Sequence, residues 1–276
     1  MSPARALAEH WPEYLIEGWA LGTFMLSASL FAVLLEHPGS PLHAALGHEP
    51  LRRALIGVAM GLTAIALIYS PWGRRSGAHM NPAVTLTFLR LGKVSRIDAL
   101  FYVLAQFAGG LAGVLIAIAV AGAAFTDPPV AFIATRPGAA GVAAAFVAEA
   151  VISFGLMLLV LVFTARPRLA PFTGLAAGVL VATYIAVEAP LSGMSMNPAR
   201  SFASAAPARE WGDLWLYFSA PLLGMLASAE VVKRAVGRAQ LPCAKLQHAR
   251  DQRCIHCGYT PPSKSRNRRL ADERAV

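Results

Sequence analysis

Six apolar runs, each roughly as long as the hydrocarbon core of a bilayer is thick, divide this 276-residue chain. A helix needs about 20 mostly apolar residues to cross that core. Hydrophobic residues make up 56% of the chain and charged residues 14%, against about 25% charged in soluble domains. The sequence therefore predicts an all-α membrane protein with six spans, at roughly 14–35, 54–70, 99–122, 142–164, 169–187 and 213–232.

The distribution of charge predicts the orientation of these spans. The first is not predicted to be a cleaved signal peptide, because it carries Glu13 and Glu17 and is too long for the apolar part of one. Six spans put both termini on one side, and Lys and Arg are concentrated there. By the positive-inside rule both termini are predicted to be cytoplasmic. The net charge of +9 thus reflects topology, and without a binding module it does not predict a nucleic-acid partner.

Two polar stretches interrupt the apolar pattern: "SGAHMNPAVTL" begins at Ser76 and "SGMSMNPARSF" at Ser192. They share Ser, Gly, Met, Asn, Pro and Ala, and they lie between spans 2 and 3 and between spans 5 and 6. Each half of the chain therefore holds three spans, so the second half crosses the membrane in the opposite direction. Inverted repeats of this kind build a site near the bilayer midplane from discontinuous helices.

Each Asn-Pro-Ala is a helix start, because Asn is a favoured N-cap and Pro a favoured first helical residue. Asn81-Pro82-Ala83 predicts a half-helix through about Arg90, and Asn197-Pro198-Ala199 predicts another through about Ala205. Non-helical backbone at membrane depth survives only where it is buried or lines a cavity. The preceding residues are therefore predicted to present carbonyls to a cavity: Gly77, Ala78, His79, Gly193, Met194 and Ser195.

The two half-helices enter from opposite faces, so their N-termini meet near the middle. Each N-terminus carries roughly half a positive charge, and the pair repels cations. The amides of Asn81 and Asn197 can donate hydrogen bonds to a water oxygen and so interrupt a proton-conducting file of waters. The sequence predicts a passive pore for small neutral molecules that excludes ions and protons.

With both motifs in corresponding positions, the chain resembles the aquaporin (major intrinsic protein) family over about residues 10–235. The resemblance implies six transmembrane helices plus two re-entrant half-helices in an inverted 3+3 repeat, and usually a homotetramer. It divides the chain into a cytoplasmic N-terminus (1–12), a channel domain (13–235, with repeats at about 13–122 and 142–235) and a cytoplasmic tail (236–276) whose end is predicted to be disordered. A multi-pass protein of a bacterial inner membrane is expected.

The resemblance also implies a selectivity filter. Arg200, directly after the second motif, matches the family's filter arginine, which donates to solute oxygens and repels cations. Ile185 and Met194 fall on two other filter positions. The span 2 position falls on Met60 if the stretch "SPWGRR", between span 2 and the first motif, contains a one-residue insertion, and on Gly61 if it does not.

Three buried polar residues are expected to support the re-entrant loops. Glu149 in span 4 takes the family position that accepts hydrogen bonds from the loop backbone, and Gln106 in span 3 matches a family Gln. Glu17 is the span 1 counterpart of Glu149, about two residues earlier than usual. His79 is interpreted as a structural hydrogen-bonding residue of the first loop.

The solute is predicted from the filter. It has neither the His nor the Phe usual in strict water channels, whereas Ser201, Ala205 and Tyr217-Phe218 resemble water channels of the bacterial type more than glycerol facilitators. Water is predicted, with other small uncharged solutes; a glycerol- or urea-type facilitator is the alternative. An ion-coupled secondary transporter and a non-conducting adhesion protein are weaker alternatives. No nucleophile–base pairing is found, so an enzyme is not predicted.

All three cysteines lie in the tail, at Cys243, Cys254 and Cys257. Cys254-x-x-Cys257 followed by Gly resembles a zinc knuckle, and Cys243 with His248 or His256 can complete a tetrahedral zinc site. A cytoplasmic location disfavours a disulfide. Zinc binding, a redox-active thiol pair and no special role all stay open here, and transport is expected to need no cofactor.

Overall fold

A computed structural model of the chain describes residues 2–236, 243–249 and 251–261. The end of the tail that was predicted to be disordered lies, from residue 262 on, outside the described residues. The described part contains eight main helices: α1 (Pro3–Glu36), α2 (Glu49–Tyr69), α3 (Pro82–Arg90), α4 (Arg96–Ala121), α5 (Gly141–Thr164), α6 (Thr173–Val187), α7 (Pro198–Ala208) and α8 (Leu214–Val236). Short helical segments connect them, at Pro41–Ala45, Pro71–Ser76, Ala123–Thr126, Ala131–Ile133, Ala170–Phe172 and Ala189–Ser192.

The six helices α1, α2, α4, α5, α6 and α8 are long and apolar enough to cross a membrane, which confirms the predicted number of spans. The main difference from the sequence prediction is at the start of α1. Ser2 caps this helix and Pro3 begins it, well before the predicted span. Hydropathy marks only the lipid-buried part of a helix, so it misses about three more polar turns at the start of α1.

The two half-helices begin where the motifs predict. The Asn81 side chain accepts a hydrogen bond from the Ala83 N–H at 2.8 Å and caps α3, which ends at Arg90. The Asn197 side chain accepts from the N–H groups of Ala199 and Arg200 and caps α7. The second half-helix continues to Ala208, beyond the predicted end near Ala205.

Glycines bring the long helices into close contact. A Cβ atom on Gly109 of α4 would lie 2.0 Å from the Gly18 carbonyl oxygen of α1, and one on Gly61 of α2 would lie 2.5 Å from that of Gly178 in α6. Only a hydrogen in place of the side chain permits such backbone approach. The main helix pairs are therefore α1 with α4, α5 with α8, and α2 with α6.

Each half-helix packs on the last helix of the other repeat. The first, α3, contacts α8, and the second, α7, contacts α4. This exchange ties the two repeats together and holds both re-entrant segments inside the bundle. The inverted repeat predicted from the duplicated motif is visible in these mirrored contacts.

Candidate functional site: a cavity between two half-helices

The N-termini of the half-helices are joined crosswise. The Asn81 amide nitrogen donates to the Met196 carbonyl at 2.7 Å, and the Asn197 amide nitrogen donates to the Met80 carbonyl at 2.7 Å. Both asparagines also line the central cavity. A carboxamide has two N–H groups, so this arrangement uses one on each side chain and leaves a second beside the cavity.

The loops before the motifs adopt the same unusual backbone in both repeats. Non-glycine residues have positive φ angles at alternate positions: Ala78 (55°), Met80 (50°), Met194 (51°) and Met196 (54°). Left-handed backbone is unfavourable for side chains other than glycine, and it persists where the surroundings hold it in place. Gly77 and Gly193 begin the two loops, also at positive φ.

Two buried carboxylates hold these loops. Each accepts two consecutive backbone N–H groups and one serine hydroxyl. For Glu17 the backbone donors are His79 at 3.0 Å and Met80 at 2.7 Å. For Glu149 they are Ser195 at 2.6 Å and Met196 at 2.7 Å. Glu17 thus meets the first loop although it stands two residues earlier than the usual family position.

The serines that open the two stretches complete this support. Ser76 donates to Glu17 at 2.7 Å and Ser192 to Glu149 at 2.8 Å. A buried tyrosine binds the carbonyl of each serine: Tyr102 that of Ser76 at 2.8 Å, and Tyr217 that of Ser192 at 2.6 Å. The sequence analysis missed the tyrosines as loop supports. The signal for them was present, because they stand at corresponding positions in the two repeats.

Gln106 and His79 extend the network on the first loop only. The Gln106 amide nitrogen donates to Glu17 at 2.9 Å and to the Thr85 hydroxyl at 3.1 Å. The buried His79 ring lies 3.0 Å from the Thr85 hydroxyl and 2.8 Å from the Ala244 carbonyl oxygen. A histidine with both ring nitrogens bonded acts as a structural connector in this loop.

A cavity of about 390 Å³ runs between the two loops. Four residues predicted for the filter line it: Met60, Ile185, Met194 and Arg200. The alternative span 2 residue, Gly61, is not among the lining residues. Gly61 packs instead against Gly178 of α6. The wall of the cavity is mainly apolar.

Five of the six residues predicted to present carbonyls line this cavity, and Met80 and Met196 do so as well. Gly77 is not among the lining residues. Its carbonyl oxygen accepts a hydrogen bond from the Leu246 N–H at 3.1 Å, so the tail occupies the position that the sequence prediction had left to the cavity.

Arg200 is fixed beside the cavity by the loop that follows α4. One guanidinium nitrogen donates to the Ile133 carbonyl at 3.1 Å and to the Thr135 hydroxyl. Guanidinium groups carry five N–H donors, so others stay available to a solute. The side chain therefore offers positive charge and hydrogen-bond donors at one level of the cavity.

Four tail residues form a cluster with metal-ligand chemistry: Cys243, His248, Cys254 and Cys257, whose donor atoms all lie within 4.8 Å of one another. The Cys243 and Cys254 sulfurs are 3.4 Å apart, and the His248 ring nitrogen is 3.3 Å from the Cys257 sulfur. Tetrahedral zinc, with Zn–S bonds of about 2.3 Å, sets its sulfurs roughly 3.8 Å apart, so the cluster fits this ion. His256, the other candidate, points instead toward the Ser76 carbonyl at 3.2 Å.

The electrostatics of the cluster also suit a cation. The hydrogen bond between the two sulfurs lowers the pKa of Cys254 and raises that of Cys243, and backbone N–H groups and Lys245 further stabilise the Cys254 thiolate. A thiolate is the form in which cysteine binds metals. No disulfide joins the cysteines, and all three are free.

The model of the major intrinsic protein family matches residues 10–231. The chain is 31% identical to the probable aquaporin NIP7-1 of Arabidopsis thaliana, over 81% of this chain and 76% of that protein. It is 32% identical to aquaporin NIP2-2 of Zea mays, over 83% and 74% respectively. Its fold matches that of the aquaglyceroporin from Plasmodium falciparum with a TM-score of 0.66 at 18% identity, covering 83% of this chain and 98% of that one.

These matches confirm the family and the fold class that the duplicated motif predicted. The two named relatives are plant proteins, so they give no support to the expectation of a bacterial inner membrane. With six spans, a cavity between two half-helices and family matches over most of its length, the chain belongs to the major intrinsic protein family and is an integral, multi-pass, passive channel for water and small neutral solutes, not an enzyme.

Proposed function

We propose that water crosses the membrane through the cavity between Asn81 and Asn197, and that these two side chains interrupt proton transfer. The crosswise hydrogen bonds of the two asparagines carry this proposal, since they fix one N–H of each amide and aim the pair at the same cavity. A water oxygen that accepts from both remaining N–H groups has no lone pair left for its neighbours in the file. The chain of hydrogen bonds is then broken at that point.

Two sources of positive potential support the exclusion of cations. The N-termini of α3 and α7 each contribute roughly half a positive charge, and both point at the middle of the bundle. Arg200 adds a full charge beside the cavity. Positive groups in a low-dielectric setting strongly raise the energy of a passing cation.

We propose Met60, Ile185, Met194 and Arg200 as the filter. Three of these side chains are apolar, and two are methionines, which adapt their shape to a neighbour. The filter thus offers donors from a single arginine and otherwise an apolar wall. This composition suits water and small uncharged solutes.

Stopped-flow light scattering on proteoliposomes tests the proposal. A membrane-permeable chelator is included, so that any metal bound by the cysteine cluster of the tail is removed. Under an impermeant osmolyte we expect faster shrinkage than in empty liposomes; an equal rate would contradict it. Ile185→Trp should obstruct the cavity and slow the shrinkage. Val187→Trp is the matched control, because Val187 lies on the same helix with 73% of its surface exposed. Reswelling in glycerol or urea would favour the facilitator alternative.

We further propose a channel domain at 13–235. We also propose that both termini are cytoplasmic, because Lys and Arg are concentrated on the side of the membrane that holds them. A homotetramer is proposed from family membership. Native mass spectrometry tests this assembly, with an expected mass of four 29.1 kDa chains. A monomeric or dimeric mass in several mild detergents would contradict the tetramer.

We also propose that Cys243, His248, Cys254 and Cys257 bind zinc. Their number, chemistry and mutual distances support this ligand set. Transport itself needs no cofactor, and we propose that the ion holds the shape of the tail. Metal analysis of purified protein should find about one zinc per chain, and Cys254→Ser/Cys257→Ser should lose it. Equal zinc content in both proteins would contradict the site.

A further inference from the structure

We propose that the zinc-bound tail is a plug that closes one mouth of the channel, and that loss of the metal opens it. This inference rests on the channel and the zinc site proposed above. We call the mouth near Ile68, Ala78 and His79 the inner mouth; Glu49, on the same helix as Ile68, lies at the opposite end of the cavity. Among the tail residues described, Leu246 lines the cavity at the inner mouth.

The tail backbone is hydrogen-bonded to the first re-entrant loop. The Leu246 N–H donates to the Gly77 carbonyl at 3.1 Å. The Ala244 carbonyl lies 2.8 Å from the His79 ring nitrogen. Ala244 is fully buried and Leu246 is 7% exposed, and both belong to the apolar cluster that includes Ala78. The segment is therefore packed into the mouth.

A comparison of the two repeats shows which residue the tail removes from the cavity lining. The loops match in backbone, carboxylate support and tyrosine support, yet Gly193 lines the cavity and its counterpart Gly77 does not. The tail docks at Gly77. The loss of symmetry therefore occurs where the tail enters. At the second mouth Gly193 packs against Thr135 and Arg136 of the loop after α4, but among the residues described no backbone N–H donates to its carbonyl oxygen.

Charged side chains anchor the tail around the mouth. Glu13 of α1 is completely buried and is paired with Arg253 at 3.2 Å and with Arg75 at 3.1 Å. Lys245 is 2% exposed and donates to the Arg74 carbonyl at 3.0 Å. Arg253 supplies one of the two positive charges paired with Glu13, and Lys245 bonds to a backbone carbonyl beside the first loop, so both contacts favour the docked tail.

A third anchor lies between two of the metal ligands. His256 stacks on His79 with ring centroids 5.8 Å apart and planes 11° apart, and it contacts Tyr102. The tail therefore contacts the residues that hold the first loop.

The metal ligands lie next to the tail residues that contact the first loop. Cys243 directly precedes Ala244, Lys245 and Leu246, and Cys254 and Cys257 flank His256. The described tail segments contain no helix or strand, so hydrogen bonds of regular structure do not hold their shape. In small domains of this kind, zinc supplies the folding free energy. Without the ion, the backbone and side-chain anchors are no longer held in one arrangement.

The experiment measures osmotic water permeability of the full chain in proteoliposomes. We expect low permeability with one zinc per chain, a several-fold increase after a membrane-permeable chelator, and reversal on adding zinc. Cys254→Ser/Cys257→Ser should be permeable in both conditions. Equal permeability of the zinc-loaded, chelated and variant proteins above that of empty liposomes would overturn the plug and leave the channel intact. If none of the three exceeded empty liposomes, the channel would be refuted, and the plug with it.

A charge reversal separates plugging by the tail from direct block by zinc. Arg253→Glu should repel Glu13 and release the tail while keeping all four ligands, so it should conduct water with zinc still bound. Arg168→Glu, at an exposed arginine of the loop after α5, is the matched control and should behave as the parent protein. Hydrogen exchange gives a second readout: peptide 244–249 should be protected with zinc and exchange rapidly in Arg253→Glu. Protection and low permeability unchanged in Arg253→Glu would contradict the proposal.

Discussion

The side chains of Asn81 and Asn197 are linked crosswise, because each amide donates to the carbonyl of the methionine that immediately precedes the other asparagine. The cap of each half-helix and the link between the repeats therefore depend on the same two side chains. Each Oδ1 faces its own helix and each amide nitrogen faces the other loop. The arrangement orients both amides without any external partner.

Replacing Asn81 with aspartate tests the role of this amide. Asp keeps the N-cap acceptor but loses the donor to Met196 and adds negative charge beside the cavity. We expect a proton or cation leak that the parent protein lacks, measured with a pH-sensitive dye inside proteoliposomes. A leak no greater than in the parent would show that proton exclusion lies elsewhere.

The loop carboxylates should be sensitive to loss of one acceptor oxygen. Glu149→Gln leaves the Ser195 and Met196 N–H groups competing for a single carbonyl, and each unpaired buried donor costs about 1–3 kcal/mol. We expect a lower apparent unfolding temperature in detergent and slower water flux. Glu210→Gln is the control, since its partly exposed pair with Arg136 should contribute about 0–1 kcal/mol. Equal effects of the two variants would contradict this account of the loop.

Arg200→Ala should widen the filter. It removes the positive charge and the guanidinium N–H donors, which the Ile133 carbonyl and the Thr135 hydroxyl hold in place beside the cavity. After chelation of metal we expect larger neutral solutes to cross faster, as measured by reswelling in a series of polyols, and cations to some extent, as measured with a cation-sensitive dye inside the liposomes. Arg136→Ala, at an exposed arginine nearby, should leave selectivity unchanged. Unaltered selectivity in Arg200→Ala would mean that the filter is assigned wrongly.

Close helix packing predicts a contrast between two glycines. A Cβ atom on Gly113 of α4 would lie 2.2 Å from the Gly22 carbonyl oxygen, whereas one on Gly212 meets no atom within 4 Å. Gly113→Ala must separate α1 from α4, and overpacking of this kind costs about 1–3 kcal/mol. We expect a lower apparent unfolding temperature for Gly113→Ala and little change for Gly212→Ala. The reverse order would contradict the packing described.

The parts predicted correctly from sequence are those that local chemistry decides. The length of an apolar run determines whether a helix can span the bilayer, and Asn followed by Pro determines where a half-helix begins. Duplication of the motif then gave the inverted topology without any three-dimensional information. The end of α7 was predicted too early, at about Ala205, because Pro207 lies within its last turn and does not end it.

Contacts between distant parts of the chain could not be predicted in this way. The His79 ring is hydrogen-bonded to the carbonyl of Ala244, which lies 165 residues later in the chain. No local sequence pattern marks either residue as a partner of the other. The same holds for Glu13 and Arg253, which a charge count treats as solvent-exposed groups. The cysteine spacing predicted a metal site, but the packing of the neighbouring Ala244 and Leu246 against the first loop depends on tertiary contacts.

The most direct test of the central claim is water and proton permeability measured in the same proteoliposomes after chelation of metal. The central claim is that two half-helices meeting at Asn81 and Asn197 form a pore for neutral molecules that interrupts proton transfer. It predicts water flux well above that of empty liposomes, with a proton leak equal to theirs. Water flux no faster than in empty liposomes, or a proton leak that rises together with water flux, would contradict it.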